Sequence, residues 1–154
     1  MEHSVAVAKL GESFAFAQPR ALDRDLLICG ALLHDVGKVD ELSATTMIEY
    51  TDPGRLMGHL VIGTLMVEAR PATIPEFPIA KKWAVQHLIL SHHGRREYGS
   101  PVLPATPEAL ALHHLDNLDA KVAAANRIIS EDADPLRRWT DRSWMLETPL
   151  FKGI

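Results

Sequence analysis

The side chains best suited to chemistry in this chain are imidazoles and carboxylates, and two of them stand together in His34-Asp35-Val36-Gly37-Lys38. The stretch closes an apolar run, Leu26 to Leu33, that reads as the buried face of a helix. An imidazole and a carboxylate at the end of such a run have no good packing role. Buried polar groups need partners, and a buried charge needs a counter-charge or a metal. Divalent Zn, Mn, Fe, Co and Ni accept mixed His and Asp ligands. The pair takes its meaning from the residues spaced around it, His3, His59, His92, His93 and Asp116.

Helices must position these residues. Val5, Val7, Ala8, Leu10, Phe14 and Phe16 predict a helix over 3–17, ended by Gln18-Pro19. A second, capped near Asp23, runs to about His34 and stops before Gly37, and Lys38 to Leu42 then reads as a loop. After Thr51-Asp52-Pro53-Gly54, helical spacing of Leu56, Met57, Leu60, Val61, Leu65 and Met66 continues to Arg70-Pro71, with His59 inside. Gly58 and Gly63 each cost roughly 1 kcal/mol there relative to Ala, and are expected to admit a second helix or a ligand closely. Pro71, Pro75 and Pro78 form a rigid connector to a helix over about 79–91, which ends in His92-His93-Gly94. A long helix opens at Pro107 or Glu108, runs to about Ser130 and carries Asp116. The tail from Ala133 has no clear period, and Trp139, Trp144 and Phe151 are expected to pack on the core. The fold class is all-α, a helical bundle of at least five main helices in a single domain over 1–154.

Composition bounds the function. At 154 residues the chain can bury a core without staples. Its net charge of −4 argues against bulk electrostatic attraction to nucleic acid, although a local basic patch could still bind it. The single cysteine, Cys29, excludes an intramolecular disulfide and reads as a small core residue. No apolar run is long enough to span a membrane and the N-terminus shows no signal-peptide pattern, so a cytoplasmic location is the default expectation.

His3, His34, Asp35, His59, His92, His93 and Asp116 thus fall on or at the ends of five successive helices. Bundles build metal sites in this way, from side chains that face inward. Three or four ligands serve one ion, so the surplus suggests two ions, with Asp35 as the natural bridge. Such a pair can activate water and clamp the two ends of an in-line phosphoryl displacement. His87, off the face of His92, reads as structural. His113 reads as a supporting partner of Asp116, His114 as surface, and Asp119 as an ion-pair partner rather than a ligand.

The order His3, His34-Asp35, His59, His92-His93, Asp116 resembles the HD-domain superfamily of metal-dependent phosphohydrolases. The wording of Tyr50 to His59, His87 to Gly94, Gly99-Ser100-Pro101-Val102 and Leu115 to Lys121 is similar to the HD domain of the YhaM-type 3′-5′ exoribonucleases. The resemblance implies that His3, His34, Asp35 and Asp116 hold a first metal. Asp35, His59 and the His92-His93 pair would serve a second. It also implies that Lys38, with Asp35 one of the catalytic pair, neutralises a phosphate. By residue type alone, Arg95 and Arg96 could grip a phosphate chain or simply form a solvated loop. The expected cofactor is a divalent metal, two ions of Mn, Fe, Co or Ni. The expected partner is a nucleotide or single-stranded RNA, with no membrane. The N-terminal OB-type nucleic-acid-binding domain of that family is not found in this sequence. The expected function is hydrolysis of nucleotide or RNA phosphoesters through a metal-activated hydroxide, on the pattern of a 3′-5′ exoribonuclease. A small-nucleotide phosphatase is the alternative, and a metal-binding regulatory module without turnover is the alternative from another class.

Overall fold

The structure is a computed structural model that describes residues 2–18, 20, 22–44, 47–70 and 74–153. Pro19 and Pro71, read above as a helix end and as part of a connector, lie outside these residues. The elements are α1 (Glu2–Ala17), α2 (Arg24–Leu33), α3 (Lys38–Glu41), β1 (Leu42–Ala44), β2 (Ile48–Tyr50), α4 (Asp52–Ala69), α5 (Ile79–Ser91), a 3-10 turn (Arg96–Tyr98) and α6 (Pro107–Glu131). The all-α expectation holds, with five main helices in the expected places. Contacts group the chain into two units, residues 1–116 and 117–154.

In the first unit the helix starts follow local chemistry. The Asp23 carboxylate accepts the Leu26 N–H at 3.0 Å and caps α2. Thr51 Oγ1 accepts the Gly54 N–H at 3.0 Å at the start of α4. At α6 Pro107 takes the first helical position, and Thr106 Oγ1 accepts the Ala109 N–H at 3.2 Å. Glu108 reaches back from this turn to accept the Asp23 N–H at 2.8 Å, so two helix starts share one bond. The core is built from Val7 and Ala15 of α1, Leu27 and Ala31 of α2, Leu88 of α5 and Ala109 and Leu112 of α6. Its members Ala31 and Leu88 stand three and four residues before His34 and His92.

Two local expectations are corrected. Lys38 to Leu42 is not a loop: α3 makes one helical turn and Leu42 opens an antiparallel hairpin, with Leu42 opposite Tyr50 and Ala44 opposite Ile48. Cys29 is half-buried rather than a core residue. The expectation for the glycines holds at Gly63, which faces the Gly37 amide and Val36, and Ile89 of α5. Gly58 instead breaks α4, with φ 72° and ψ 159°.

In the second unit the tail after α6 folds on itself. Trp139 and Phe151 form an antiparallel bridge, and the Thr140 N–H donates to the Leu150 carbonyl at 2.9 Å. Lys152, at 2.8 Å, and Arg137, at 2.9 Å, pair with Asp132 and hold its carboxyl down at about 2. Trp144 is 90% exposed. Among the described residues no helix is long and apolar enough to cross a membrane.

Candidate metal centre

Two helices end on the same device. His34 follows the last residue of α2, and its Nδ1–H donates to the Ala31 carbonyl at 2.8 Å. His92 follows the last residue of α5, and its Nδ1–H donates to the Ile89 carbonyl at 2.8 Å. Carbonyls near a helix C-terminus lack partners within the helix, so a ring three residues on can satisfy one. A carbonyl can only accept, which makes Nδ1 the protonated nitrogen. In the neutral ring Nε2 then carries the bare lone pair, and in both residues it turns toward Asp35. Each of the two rings is at most 1% exposed.

Asp35 lies between them. Its Oδ1 stands 3.5 Å from His59 Nε2 and 3.7 Å from His92 Nε2, while Oδ2 stands 3.5 Å from His34 Nε2 and accepts from Lys38 Nζ at 2.6 Å. The carboxylate therefore presents its two oxygens to two sets of imidazoles. On one side, His34 Nε2 is 3.8 Å from Asp116 Oδ1, which His3 Nε2 meets at 2.9 Å. On the other, the His93 ring is 4.5 Å from that of His92 and 5.1 Å from that of His59, centroid to centroid. Both neighbouring histidines reach the cluster because the chain has left α5 by then: Gly94 turns it with φ 76°, and His93 Nδ1–H donates to the Tyr98 carbonyl at 2.7 Å.

His34 Nε2, Asp35 Oδ1 and His59 Nε2 are buried and have no hydrogen-bond partner among the described residues. Leaving one such atom unpaired costs about 1–3 kcal/mol, so three in one cluster call for a common partner. The separations of 3.5–3.8 Å between these atoms and the imidazoles and carboxylates around them are too long for hydrogen bonds. Two donors on one ion at about 2.0–2.1 Å stand roughly 3.0–3.4 Å apart, so small shifts would close the cluster on a cation. Among the described residues three groups could hold one: His3, His34 and Asp116; His34, Asp35 and His92; and His59, His92 and His93.

The electrostatics agree with the donor chemistry. Burial works against charge on Asp35, but His34 and Lys38 outweigh it and hold the carboxyl well below the usual carboxylate range. Burial also disfavours a charged His34, yet Asp35 and Asp116 overcome it and push its pKa up, a preference for positive charge at this point. Burial, reinforced by His34 and His93, pushes His92 down to about 2, and burial lowers His93 as well. Those two rings are neutral, the form that binds metal.

All seven predicted ligand residues thus meet in one cluster. Lys38 joins its edge, 46% exposed at the side chain and held on Asp35. Arg95 and Arg96 do not join it: both are exposed, and Arg95 lies over the Tyr98 ring at 5.9 Å. His87 is structural as expected, its Nε2 accepting the Ala105 N–H at 2.9 Å. His113 supports the cluster from behind, its Nδ1–H donating to the His92 carbonyl at 2.8 Å. His114 is exposed. One residue was missed. Glu41, 7% exposed, accepts both the backbone N–H and the ring Nδ1–H of His59, at 3.0 and 3.1 Å. Its only signal in the sequence was its place six residues after Asp35, among Lys38, Asp40 and Glu41 that read together as a solvated loop.

The family model described as "HD domain" matches residues 1–121. The chain is 42% identical over 149 residues to a protein of Bacillus licheniformis named 3′-5′ exoribonuclease YhaM, covering 97% of this chain and 46% of that protein. The protein of the same name from Bacillus subtilis is 42% identical over 151 residues, with the same coverage. That of a Geobacillus species is 39% identical over 159 residues, covering 99% of this chain and 47% of the relative. The chain therefore spans about half the length of the curated relatives it matches. No solved structure gives a significant match.

Proposed function

The chain belongs to the HD domain family, and from that premise we propose that it is a metal-dependent phosphohydrolase that cleaves phosphodiester bonds in single-stranded RNA from the 3′ end. The observation that carries the reading is the set of three buried, partnerless atoms of His34, Asp35 and His59, gathered among imidazoles and carboxylates. The choice of RNA rests on the relatives' printed name.

His3, His34, Asp35 and Asp116 would hold one divalent ion, and Asp35, His59, His92 and His93 a second, with the two oxygens of Asp35 facing the two sides. Mn, Fe, Co and Ni all suit this mixture of nitrogen and oxygen donors. When bound, such a pair supplies Lewis acidity toward water and toward phosphoryl oxygens. The residues themselves do the rest. Carbonyls of Ala31, Ile89 and Tyr98 keep the rings of His34, His92 and His93 turned inward, so no reorientation is needed when the site is filled. Lys38, exposed on one side, holds Asp35 and offers its ammonium to a phosphate that approaches from solvent. Arg95 and Arg96 stand outside the cluster, where they would meet the chain of a longer substrate rather than its scissile phosphate.

The test is metal content together with hydrolysis of bis-p-nitrophenyl phosphate, on wild type and Asp35→Ala. The expected result is about two metals per chain in wild type and turnover abolished in the variant, because Asp35 serves both sides. Oligoribonucleotides labelled at the 5′ end should then shorten stepwise from the 3′ end, while mononucleotides persist. Turnover of mononucleotides alone would replace RNA hydrolysis with a nucleotide phosphatase. Failure to bind metal or to turn over any phosphoester would leave a binding module in its place.

A further inference from the structure

We propose that Glu41 is the positioning residue of this site: through one buried carboxylate oxygen it fixes the ring of His59 in the tautomer that turns the Nε2 lone pair into the cluster. The inference rests on the metal-centre reading above and adds to it a residue outside the ligand set.

The argument starts in the backbone. Gly58 breaks α4, so His59 opens the second helical segment and its N–H has no helical partner before it. Glu41 Oε1 accepts that N–H at 3.0 Å, which makes a distant side chain the cap of the segment. The same oxygen lies 3.1 Å from His59 Nδ1. An oxygen already accepting a backbone N–H meets the ring as an acceptor, so Nδ1 carries the proton. Nε2 is left bare, and it is one of the three buried atoms without a partner, 3.5 Å from Asp35 Oδ1.

The rings of His34, His92 and His93 receive this service from backbone carbonyls, because His34 and His92 end helices and His93 faces a turn. His59 stands inside the span of α4, and its ring takes a side-chain acceptor instead. Glu41 is itself held for the task. It is the last residue of α3, and its carbonyl accepts from the Thr51 N–H at 3.0 Å and from Thr51 Oγ1 at 3.2 Å. The hairpin between α3 and α4 thus closes a loop that ends on His59. A carboxylate behind a metal-binding imidazole sets its orientation and raises its basicity, and removing such a partner typically weakens metal binding by about 10–100-fold.

The first measurement needs neither variant nor metal. Long-range proton–nitrogen correlation spectra of metal-free, 15N-labelled wild type, recorded at a pH high enough to deprotonate imidazolium and with His59 assigned by its loss in His59→Asn, should show the ring proton on Nδ1. A ring protonated at Nε2 would overturn the proposal. The second is Mn2+ binding by calorimetry. Glu41→Gln keeps an acceptor oxygen and should bind at both sides within a few-fold of wild type. Glu41→Met has similar length and no acceptor. It should lose about 10–100-fold at the His59 side and keep the His3, His34 and Asp116 side within a few-fold. Wild-type binding at both sides in Glu41→Met would overturn the role. Should that variant fail to fold, the wild-type tautomer and Glu41→Gln decide the question. A wild type that binds no Mn2+ fails the metal-centre reading, whereas the tautomer answers for Glu41 separately.

Discussion

A neutral imidazole offers a metal one lone pair, and the hydrogen bond at its other nitrogen decides which one. In this cluster that second bond is made by Ala31, Ile89, Tyr98 and Glu41, so the rings of His34, His92, His93 and His59 are oriented before any ion arrives. Lys38 has a different task. Its ammonium helps to keep the Asp35 carboxyl ionised, as does His34, and it remains open to solvent. Lys38→Met should therefore bind Mn2+ with wild-type stoichiometry and lose turnover of bis-p-nitrophenyl phosphate by on the order of 100-fold, the usual effect of removing one group that stabilises developing charge. Loss of the metal instead would show that Lys38 acts only by holding Asp35. At this scale most of the site was legible in the sequence, because His34-Asp35 and His59 interrupt apolar helical patterns where a polar group needs a reason. Glu41 was not legible. Its burial depends on a break in another helix, and no pattern local to Lys38-Val39-Asp40-Glu41 records that.

The elements bring the ligands within reach by close backbone approach. The turn after α2 meets α4 where Gly37 faces the His59 carbonyl and the Gly63 amide; an added Cβ at Gly37 would collide with the carbonyl oxygen and lie 2.6 Å from the Gly63 nitrogen. Gly37 caps α3 with helical dihedrals, so alanine there loses no more than about 1 kcal/mol of capping. The collision is with backbone on an adjacent helix and costs more, about 1–3 kcal/mol, as overpacking generally does. Gly58→Ala is the opposite case: space is open around a Cβ, but φ 72° with ψ 159° is a backbone region essentially confined to glycine and strains any other residue by about 1–3 kcal/mol. Thermal unfolding should show both variants destabilised. Gly37→Ala should in addition weaken Mn2+ binding at the His59 side, since it pushes Asp35 away from His59, and equal binding in the two variants would contradict this geometry. The long helices could be read from their periodicity and caps. The hairpin could not, because Leu42–Ala44 and Ile48–Tyr50 are three residues each, too short for an alternating pattern to declare itself. The break at Gly58 was also hidden, since the apolar spacing runs through it undisturbed from Leu56 to Leu60.

For the molecule as a whole, the site is a standing cost to folding in the absence of metal. Three buried atoms find no hydrogen-bond partner among the described residues, at about 1–3 kcal/mol each, a large share of the 5–15 kcal/mol that typically separates folded from unfolded chains. A ligand that binds only the folded form returns stability as its concentration rises above Kd, by about 2.7 kcal/mol at a hundredfold excess over Kd for one site. For a chain of this size each kcal/mol moves the midpoint by roughly 2–4 °C, so Mn2+ at that excess should raise Tm by about 5–11 °C per site filled. Chelation should reverse the rise. Asp35→Ala removes the carboxylate that faces both sides, and its Tm should respond to Mn2+ far less than wild type does. Scanning calorimetry of the two proteins, with Mn2+ and with chelator, measures this directly. A wild-type Tm that ignores Mn2+ would mean that the unpaired atoms of His34, Asp35 and His59 are satisfied by something other than a cation. A shift in wild type that Asp35→Ala reproduces in full would place the bound ion elsewhere on the chain.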